Sequence, residues 1–313
     1  MINSLEIVHL NESKQWVYIR SKSEGNPLLL FLHGGPGAAQ IYCTRKYFQE
    51  LENHFIVVDW DQRGSGKSYD KKIASDNLSI GQYVEDVKAL AEMLKKRFNK
   101  EKIYLVGHSW GSVIGLLAAQ QYPQHFKCYI GIGQVVNMLE GEKRGYSFLL
   151  EQTRAMNDRS TYKKLLKIGP PPYSSFYKTA IFRQALDRYG GYQYQKTTSV
   201  WNDYLKEMLA SKEYSLSDII NWFKGTNFLV KYFRDELLTV DFMEQVKDLD
   251  VPVYFLAGSY DYITPSSLVE ELYERMECPL KKMIFFENAA HDLHFEKPQQ
   301  FLEVCLEVLE RHE

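Results

Sequence analysis

GHSWGS, residues 107–112, sets Ser109 between glycines two residues before it and two after it, Gly107 and Gly111. The run before it, KIYLV, reads as a buried strand, and the run after it, VIGLLAAQQY, reads as a helix. A strand that turns abruptly into a helix strains its corner residue, and side chains at −2 and +2 would collide there, so both positions want glycine. The turn lifts the corner hydroxyl above the sheet and points the first helical amides at the same spot. That is the setting of a serine nucleophile. G-x-S-x-G alone is a weak pattern, and a structural turn serine is the plainer reading; the flanking strand and helix supply the context the motif requires.

A serine hydroxyl is a poor nucleophile near neutral pH and needs a base, itself oriented by an acid. In this architecture the chain order is serine, then Asp or Glu, then histidine. Asp261, in AGSYDYITP, follows the apolar run VPVYFLAG, and His291, in ENAAHDLHFEKP, follows KKMIFF. Both would leave the sheet edge from which Ser109 emerges. The alternatives are an aspartate capping the helix after Pro265 and a surface-loop histidine; Asp292 and His294 are rivals further from the strand end. HGGPG at 33–37 follows another apolar run, and its amides can face the serine. Gly35 and Trp110 are the candidate backbone donors for the charged oxygen of a tetrahedral intermediate, against a glycine–proline turn without chemistry. His33 and His108 read as structural. RGSGKS at 63–68 ends like a phosphate-binding loop, but Asp61 stands where that loop needs glycine, so a tight turn is expected.

These residues need a scaffold. LEIVHL and WVYIR alternate and suggest an opening hairpin. PLLLFL, HFIVVDW, KIYLVG and FKCYIGIG are nearly continuous apolar runs, as expected of strands buried on both faces. Ile80, Val84, Val87, Ala91, Leu94 and Phe98 recur at helical spacing. Strand and helix alternate from Pro27 to Gly133 and again from residue 251, where the final helix gathers Phe301, Leu302, Cys305, Val308 and Leu309 on one face. The fold class is therefore α/β: a mostly parallel central sheet with helices on both faces. From about Asn137 to Gln245 no strand pattern is evident, and the segment is rich in Tyr, Trp and Phe. The expected organisation is a core in two parts, 1–136 and 246–313, with a mainly helical cap, 137–245, over the carboxyl ends of the strands.

At 313 residues, 25% charged and 45% hydrophobic, the chain has an ordinary soluble composition. Its net charge of −2 marks neither nucleic acid nor an anionic membrane as a partner. The polar opening shows no secretory signal and no apolar run approaches a membrane span, so a cytoplasmic location is expected. Cys43, Cys128, Cys278 and Cys305 are far apart and read as reduced thiols, with no metal site and no cofactor implied. Oligomeric state is not fixed by the sequence.

Together HGGPG, DQRGSGKS, GHSWGS, GSYD and AAHDLHFEKP resemble the proline iminopeptidase family of α/β-hydrolase serine peptidases. The resemblance implies a two-domain enzyme with a helical cap between the sixth and seventh sheet positions, no metal, and a Ser109, Asp261, His291 triad. It also implies release of an amino-terminal residue, typically proline, from peptides. Members of that family hold the substrate amino group with cap glutamates in W-x-x-W-E and E-N-H-Y-F stretches. The counterparts here, WNDYL at 201–205 and LVKYF at 229–233, carry no glutamate. A protonated amine in an apolar pocket is costly without a carboxylate, so Asp203, Glu207, Glu140 and Glu142 are candidate substitutes. Trp201, Tyr204, Trp222, Phe223 and Tyr232 are candidates for lining a compact apolar pocket, with cap core as their plainer role. The expected function is a serine hydrolase acting through an acyl-enzyme on a short peptide or amino acid amide. A carboxylesterase or lactonase on the same machinery is the alternative, and a non-catalytic small-ligand-binding protein the alternative of another class.

Overall fold

Eight strands form one sheet: β1 (Ile2–Leu10), β2 (Ser13–Ser21), β3 (Leu28–Leu32), β4 (Ile56–Asp61), β5 (Ile103–His108), β6 (Phe126–Ile132), β7 (Val253–Gly258) and β8 (Lys281–Phe286). The structure is a computed structural model and describes residues 1–73, 78–173, 175–196 and 199–312. Spatial order is β1-β2-β4-β3-β5-β6-β7-β8. β3 to β8 pair in parallel, whereas the opening hairpin adds antiparallel pairs at one edge, β1 with β2 and β2 with β4.

Alternation along each buried strand divides the core. In β3, Leu28, Leu30 and Leu32 join one apolar cluster with α2 (Ile80–Phe98) and α3 (Trp110–Gln121). Leu29 and Phe31 join another, with the carboxyl-terminal helix Pro298–His312 on the opposite face. Each such side chain, taken fully out of water, contributes roughly 1.5–3 kcal/mol. α2 begins where Ser79 accepts a hydrogen bond from the Gln82 amide and ends at Asn99, whose φ of 51° is left-handed.

One short helix was not expected: α1 (Ile41–Tyr47), just after HGGPG. Its periodicity is too brief to read, and its apolar partners lie far along the chain. Ile41, Tyr42 and Cys43 pack with Val200, Tyr204, Met208 and Trp222.

Between β6 and β7 come α4 (Met138–Ala155), α5 (Arg159–Ile168), α6 (Phe176–Arg188), α7 (Val200–Ala210), α8 (Leu216–Tyr232), α9 (Arg234–Leu238) and α10 (Phe242–Gln245). The described residues of this insertion form no strand, and an isolated antiparallel bridge between Asn137 and Asp241 ties its two ends together. α8 lies against the loops leaving β3 and β4. Trp222 Nε1 donates to the Ala39 carbonyl at 2.8 Å and Thr226 Oγ1 to the Gly37 carbonyl at 2.9 Å. A Cβ on Gly225 would meet the Gly64 carbonyl at 2.3 Å. The chain closes with α11 (Ser266–Arg275), α12 (Leu293–Glu296) and α13, the carboxyl-terminal helix. Among the described residues no helix is long and apolar enough to cross a membrane. All four cysteines are free, and Cys278 alone of them is not buried.

Candidate active site

Ser109 sits where β5 becomes α3, with φ 55° and ψ −118°. A non-glycine residue held there stores roughly 1–3 kcal/mol of strain. Both neighbouring glycines are required by backbone. A Cβ on Gly107 would stand 2.5 Å from the Gly111 carbonyl oxygen, and one on Gly111 would stand 2.1 Å from that of Leu32. The corner is tied down by the Ser109 amide, which donates to the Ile132 carbonyl at 3.0 Å, and by Ser112 Oγ, which donates to the Ser109 carbonyl at 2.5 Å.

Three distant segments meet at that hydroxyl. Ser109 Oγ lies 2.8 Å from His291 Nε2, and His291 Nδ1 lies 2.9 Å from Asp261 Oδ2. Asp261 is saturated: Oδ1 accepts from the Ile263 and Thr264 amides at 2.9 Å, and Oδ2 accepts from Thr264 Oγ1 at 2.8 Å as well as from the imidazole. With Nδ1 as the donor to Asp261, Nε2 is left as acceptor for the serine proton. Burial pulls the His291 imidazole down, but the charge and hydrogen bond of Asp261, then the charge of Asp292, outweigh it and hold its pKa above the ordinary histidine value. Two glycines make room. A Cβ on Gly133, at the end of β6, would come within 3.0 Å of His291 Nδ1, and one on Gly258, at the end of β7, within 2.2 Å of the Ala290 carbonyl.

The glycine-rich loop after β3 closes on the serine from the other side. A Cβ on Gly34 would approach Ser109 Cβ at 3.3 Å, and Gly35 has φ +125°. The amides of Gly35 and Trp110 have no acceptor among the described residues. Gln62, of DQRG, locks the two loops together. Its amide donates to His33 Nε2 at 3.2 Å, its Nε2 to the His33 carbonyl at 3.0 Å, and its Oε1 accepts from Trp110 Nε1 at 2.8 Å. Arg63 makes a buried bidentate pair with Asp86, at 2.9 and 2.8 Å. RGSGKS is indeed a tight turn, and Lys67 Nζ is spent on Asp218 at 2.8 Å.

His33 and His108, and the rival His294, are all buried. Burial pushes His33 down to about 4, against its hydrogen bond to the Gly34 carbonyl. His108 Nε2 lies 3.1 Å from the His291 carbonyl, to which it donates, while His294 is buried with neither nitrogen bonded. Asp292 accepts from Tyr204 and Gln193.

The acids considered for an amine are engaged differently. Asp203 pairs with Lys196 at 2.8 Å and Glu207 with Lys46 at 2.6 Å, and both line a cavity of about 540 Å³ beside Lys206 and Glu296. Glu140 pairs at the surface with Lys143 and Arg144, each at 3.5 Å. Glu142 is buried, with Arg183 Nη2 at 3.3 Å. The charge of Arg183 in turn bears on His291 and on Tyr192, whose ring stands edge-on to the His291 ring at 5.4 Å. Trp201 is 47% exposed and its ring meets those of Tyr204 and Trp222, and the Tyr232 hydroxyl donates to the Leu78 carbonyl at 3.1 Å. Thr264, Gln62, Gly133 and Arg183 were missed by sequence reasoning. DQRG was the one signal available for Gln62, and an Asp followed three residues later by Thr was the one for Thr264.

A largely parallel sheet with serine after the fifth strand, an acid after the seventh and histidine after the eighth has the layout of an α/β hydrolase. The comparison with known proteins agrees: the α/β hydrolase fold family model matches residues 27–298, and the chain belongs to that family. It is 36% identical over 293 residues to the probable aminopeptidase YbaC of Bacillus subtilis strain 168, covering 93% of this chain and 92% of that one. It is 25% identical over 300 residues to the proline iminopeptidase of Saccharolobus solfataricus, covering 91% and 86%. The crystal structure of the proline iminopeptidase of Mycobacterium smegmatis superposes with a TM-score of 0.70 at 20% identity, over 99% of this chain and 98% of that one. The resemblance drawn from the motifs thus holds along nearly the whole chain.

Proposed function

We propose that the chain is a serine hydrolase that works through an acyl-enzyme, with short peptides bearing a free amino terminus, or amino acid amides, as substrates. The observation that carries this reading is the hydrogen-bonded run from Ser109 through His291 to Asp261, at 2.8 and 2.9 Å, beside two unengaged amides. Ser109 Oγ attacks the substrate carbonyl as its proton passes to His291 Nε2, and Asp261 steadies the resulting imidazolium. The carbonyl oxygen, now charged, meets the amides of Gly35 and Trp110, each such donor being typically worth about 100- to 1000-fold in rate. His291 returns the proton to the leaving amine as the carbon–nitrogen bond breaks. It then takes a proton from water, whose oxygen attacks the acyl group, and gives that proton to Ser109 Oγ as the acyl carbon–oxygen bond breaks and the acid is released.

We assign the substrate amino group to Glu142. Of the four acids considered, it is the buried one. Its partner Arg183 is also the cation whose charge reaches His291, and nearby Tyr173 keeps a buried hydroxyl with no hydrogen-bond partner among the described residues. The names of the relatives, an aminopeptidase and a proline iminopeptidase, point the same way. Proline naphthylamide and its N-acetylated form test the assignment: turnover of the free amine alone is expected, and equal rates would oppose it. As part of the same reading we place the protein in the cytoplasm, where its four free thiols stay reduced.

A carboxylesterase or lactonase is the second reading. Pairing of Asp203 with Lys196, of Glu207 with Lys46 and, at a longer 3.3 Å, of Glu142 with Arg183 favours it, because a paired acid has less charge left over for an amine. Rapid cleavage of p-nitrophenyl acetate or an acyl lactone with no amide turnover would decide for it.

A further inference from the structure

The loop that carries His291 is gripped from outside the sheet. The His291 amide donates to the Tyr192 carbonyl at 2.9 Å. One residue on, Asp292 Oδ2 accepts from Gln193 Nε2 and from the Tyr204 hydroxyl, both at 2.6 Å. Glu296 spans the same seam, taking the Ala290 amide on Oε1 at 2.9 Å and the Tyr194 amide on Oε2 at 2.7 Å. His291 and Asp292 are therefore bonded directly to Tyr192, Gln193 and α7 of the inserted segment, and Ala290 is linked to its Tyr194 through Glu296.

Asp292 is the group with no place in the proton path. It is wholly buried, and its Oδ1 has no hydrogen-bond partner among the described residues, lying 3.7 Å from His108 Nε2. A buried carboxylate costs several kcal/mol of desolvation, which a neutral residue of similar size would avoid. Packing alone does not call for it. What it adds is a two-donor anchor adjacent to the base, and a negative charge beside any imidazolium that forms. The ionisable groups around it among the described residues, besides Tyr204 and His291 itself, include Tyr42 and Cys43 from α1, His108 from β5, Tyr192 and Lys196 from the insertion, and Glu296. Burial keeps the Tyr42, Cys43 and Tyr192 protons in place, well above their ordinary values.

We propose that Asp292 is a positioning residue: through Gln193 and Tyr204 it ties His291 to the inserted helices, so that the imidazole is set against Ser109 only while those helices are seated. The proposal rests on Ser109 and His291 being the reacting pair. It makes the insertion part of the base's support as well as a wall of the site.

The test is the rate at which a fluorophosphonate labels Ser109, a readout independent of peptide preference. Asp292→Ala is expected to slow labelling about tenfold or more, as a misplaced base would. Tyr204→Phe should cost a smaller factor, and the double variant should be no slower than Asp292→Ala, since both changes cut one tether. Asp292→Asn keeps an acceptor but loses the charge, so the acid limb of its rate–pH profile should move to lower pH. A merely structural residue would leave that limb where it is. Where circular dichroism shows Asp292→Ala unfolded, Tyr204→Phe and Asp292→Asn carry the test. Wild-type rates with an unmoved limb, or costs that simply add, overturn the tether. A wild type that is never labelled at Ser109 overturns the reacting pair, and the tether with it.

Discussion

At the sheet edge, backbone holds the polar groups in place. Ser109 is fixed by two glycines whose Cβ atoms would strike carbonyl oxygens at 2.5 and 2.1 Å, and Asp261 by two amides at 2.9 Å. In the inserted helices, the acids are held by other side chains: Asp203 by Lys196 at 2.8 Å, Glu207 by Lys46 at 2.6 Å, Glu142 by Arg183 at 3.3 Å. Backbone constraints admit few sequences, whereas partly exposed pairs such as Asp203 with Lys196 and Glu207 with Lys46 can be exchanged, moved or lost with little effect on the fold. In the proposed function, reaction chemistry is anchored in the first region and substrate choice is left to the second.

The sharpest separation between the regions is expected from Ser109→Ala. It should abolish fluorophosphonate labelling and lower hydrolysis by about 10⁴-fold or more, with the unfolding midpoint in urea nearly unchanged. Residual labelling at another residue would move the nucleophile away from the sheet edge. Next comes a pair of glycine substitutions. Gly111→Ala forces a methyl group toward the Leu32 carbonyl, and a cost of about 4 kcal/mol or more is expected. Gly169→Ala, in the insertion, has φ +74° and ψ −177° with nothing within 4 Å of a Cβ, so only backbone strain of about 1–3 kcal/mol applies. Equal costs in urea titrations would erase the distinction.

What was legible in the sequence follows the same divide. Apolar runs such as LLLFL and VYFLAG betray strands because both faces of a parallel sheet must be covered, and the candidate residues after the strands were found by chain order. α1 was not legible, since IYCTRKY takes its apolar partners from residues some 160 positions away. Nor could WNDYL announce that the charge of Asp203 is spent on Lys196, or that Tyr204 reaches the Asp292 carboxylate 88 residues on. Thr264, at 2.8 Å from Asp261 Oδ2 and 3.2 Å from His291 Nδ1, is legible only once the turn that folds it back is known.

Glu142→Gln bears on the insertion alone. Loss of about 100-fold in kcat/KM for a free-amine amide is expected, since one buried charge-assisted contact is worth a few kcal/mol. Cleavage of p-nitrophenyl acetate should hardly change. Parallel losses on both substrates would mean that Glu142 supports the reacting groups themselves, and the two regions would no longer be separable by function. Acidification acts on the other region. His291 must be neutral to act as base, and its pKa is held above the ordinary value of about 6.5, so kcat/KM should fall as pH drops through a midpoint above that value.

The smallest expected effect lies on the seam between the regions. Asp61, at the end of β4, accepts from the Lys67 amide at 2.8 Å and from the Tyr214 hydroxyl of the insertion at 2.7 Å. Burial pushes its carboxyl up to about 7, against the pull of those hydrogen bonds. A carboxyl whose folded pKa is raised above its unfolded value near 3.8 favours the folded state fully below that value, and the advantage is lost as pH rises through about 7. Asp61→Asn cannot titrate. The melting temperature of the wild type relative to that variant should therefore fall by a few degrees between pH 5 and pH 8, each kcal/mol at this size being worth about 2 °C. A gap that stays flat with pH would mean that Asp61 is ionised in the fold, with Lys67 as its counter-charge. The seam would then be held by a charge pair, as the insertion is, and would not share the hydrogen-bonded backbone support of the sheet edge.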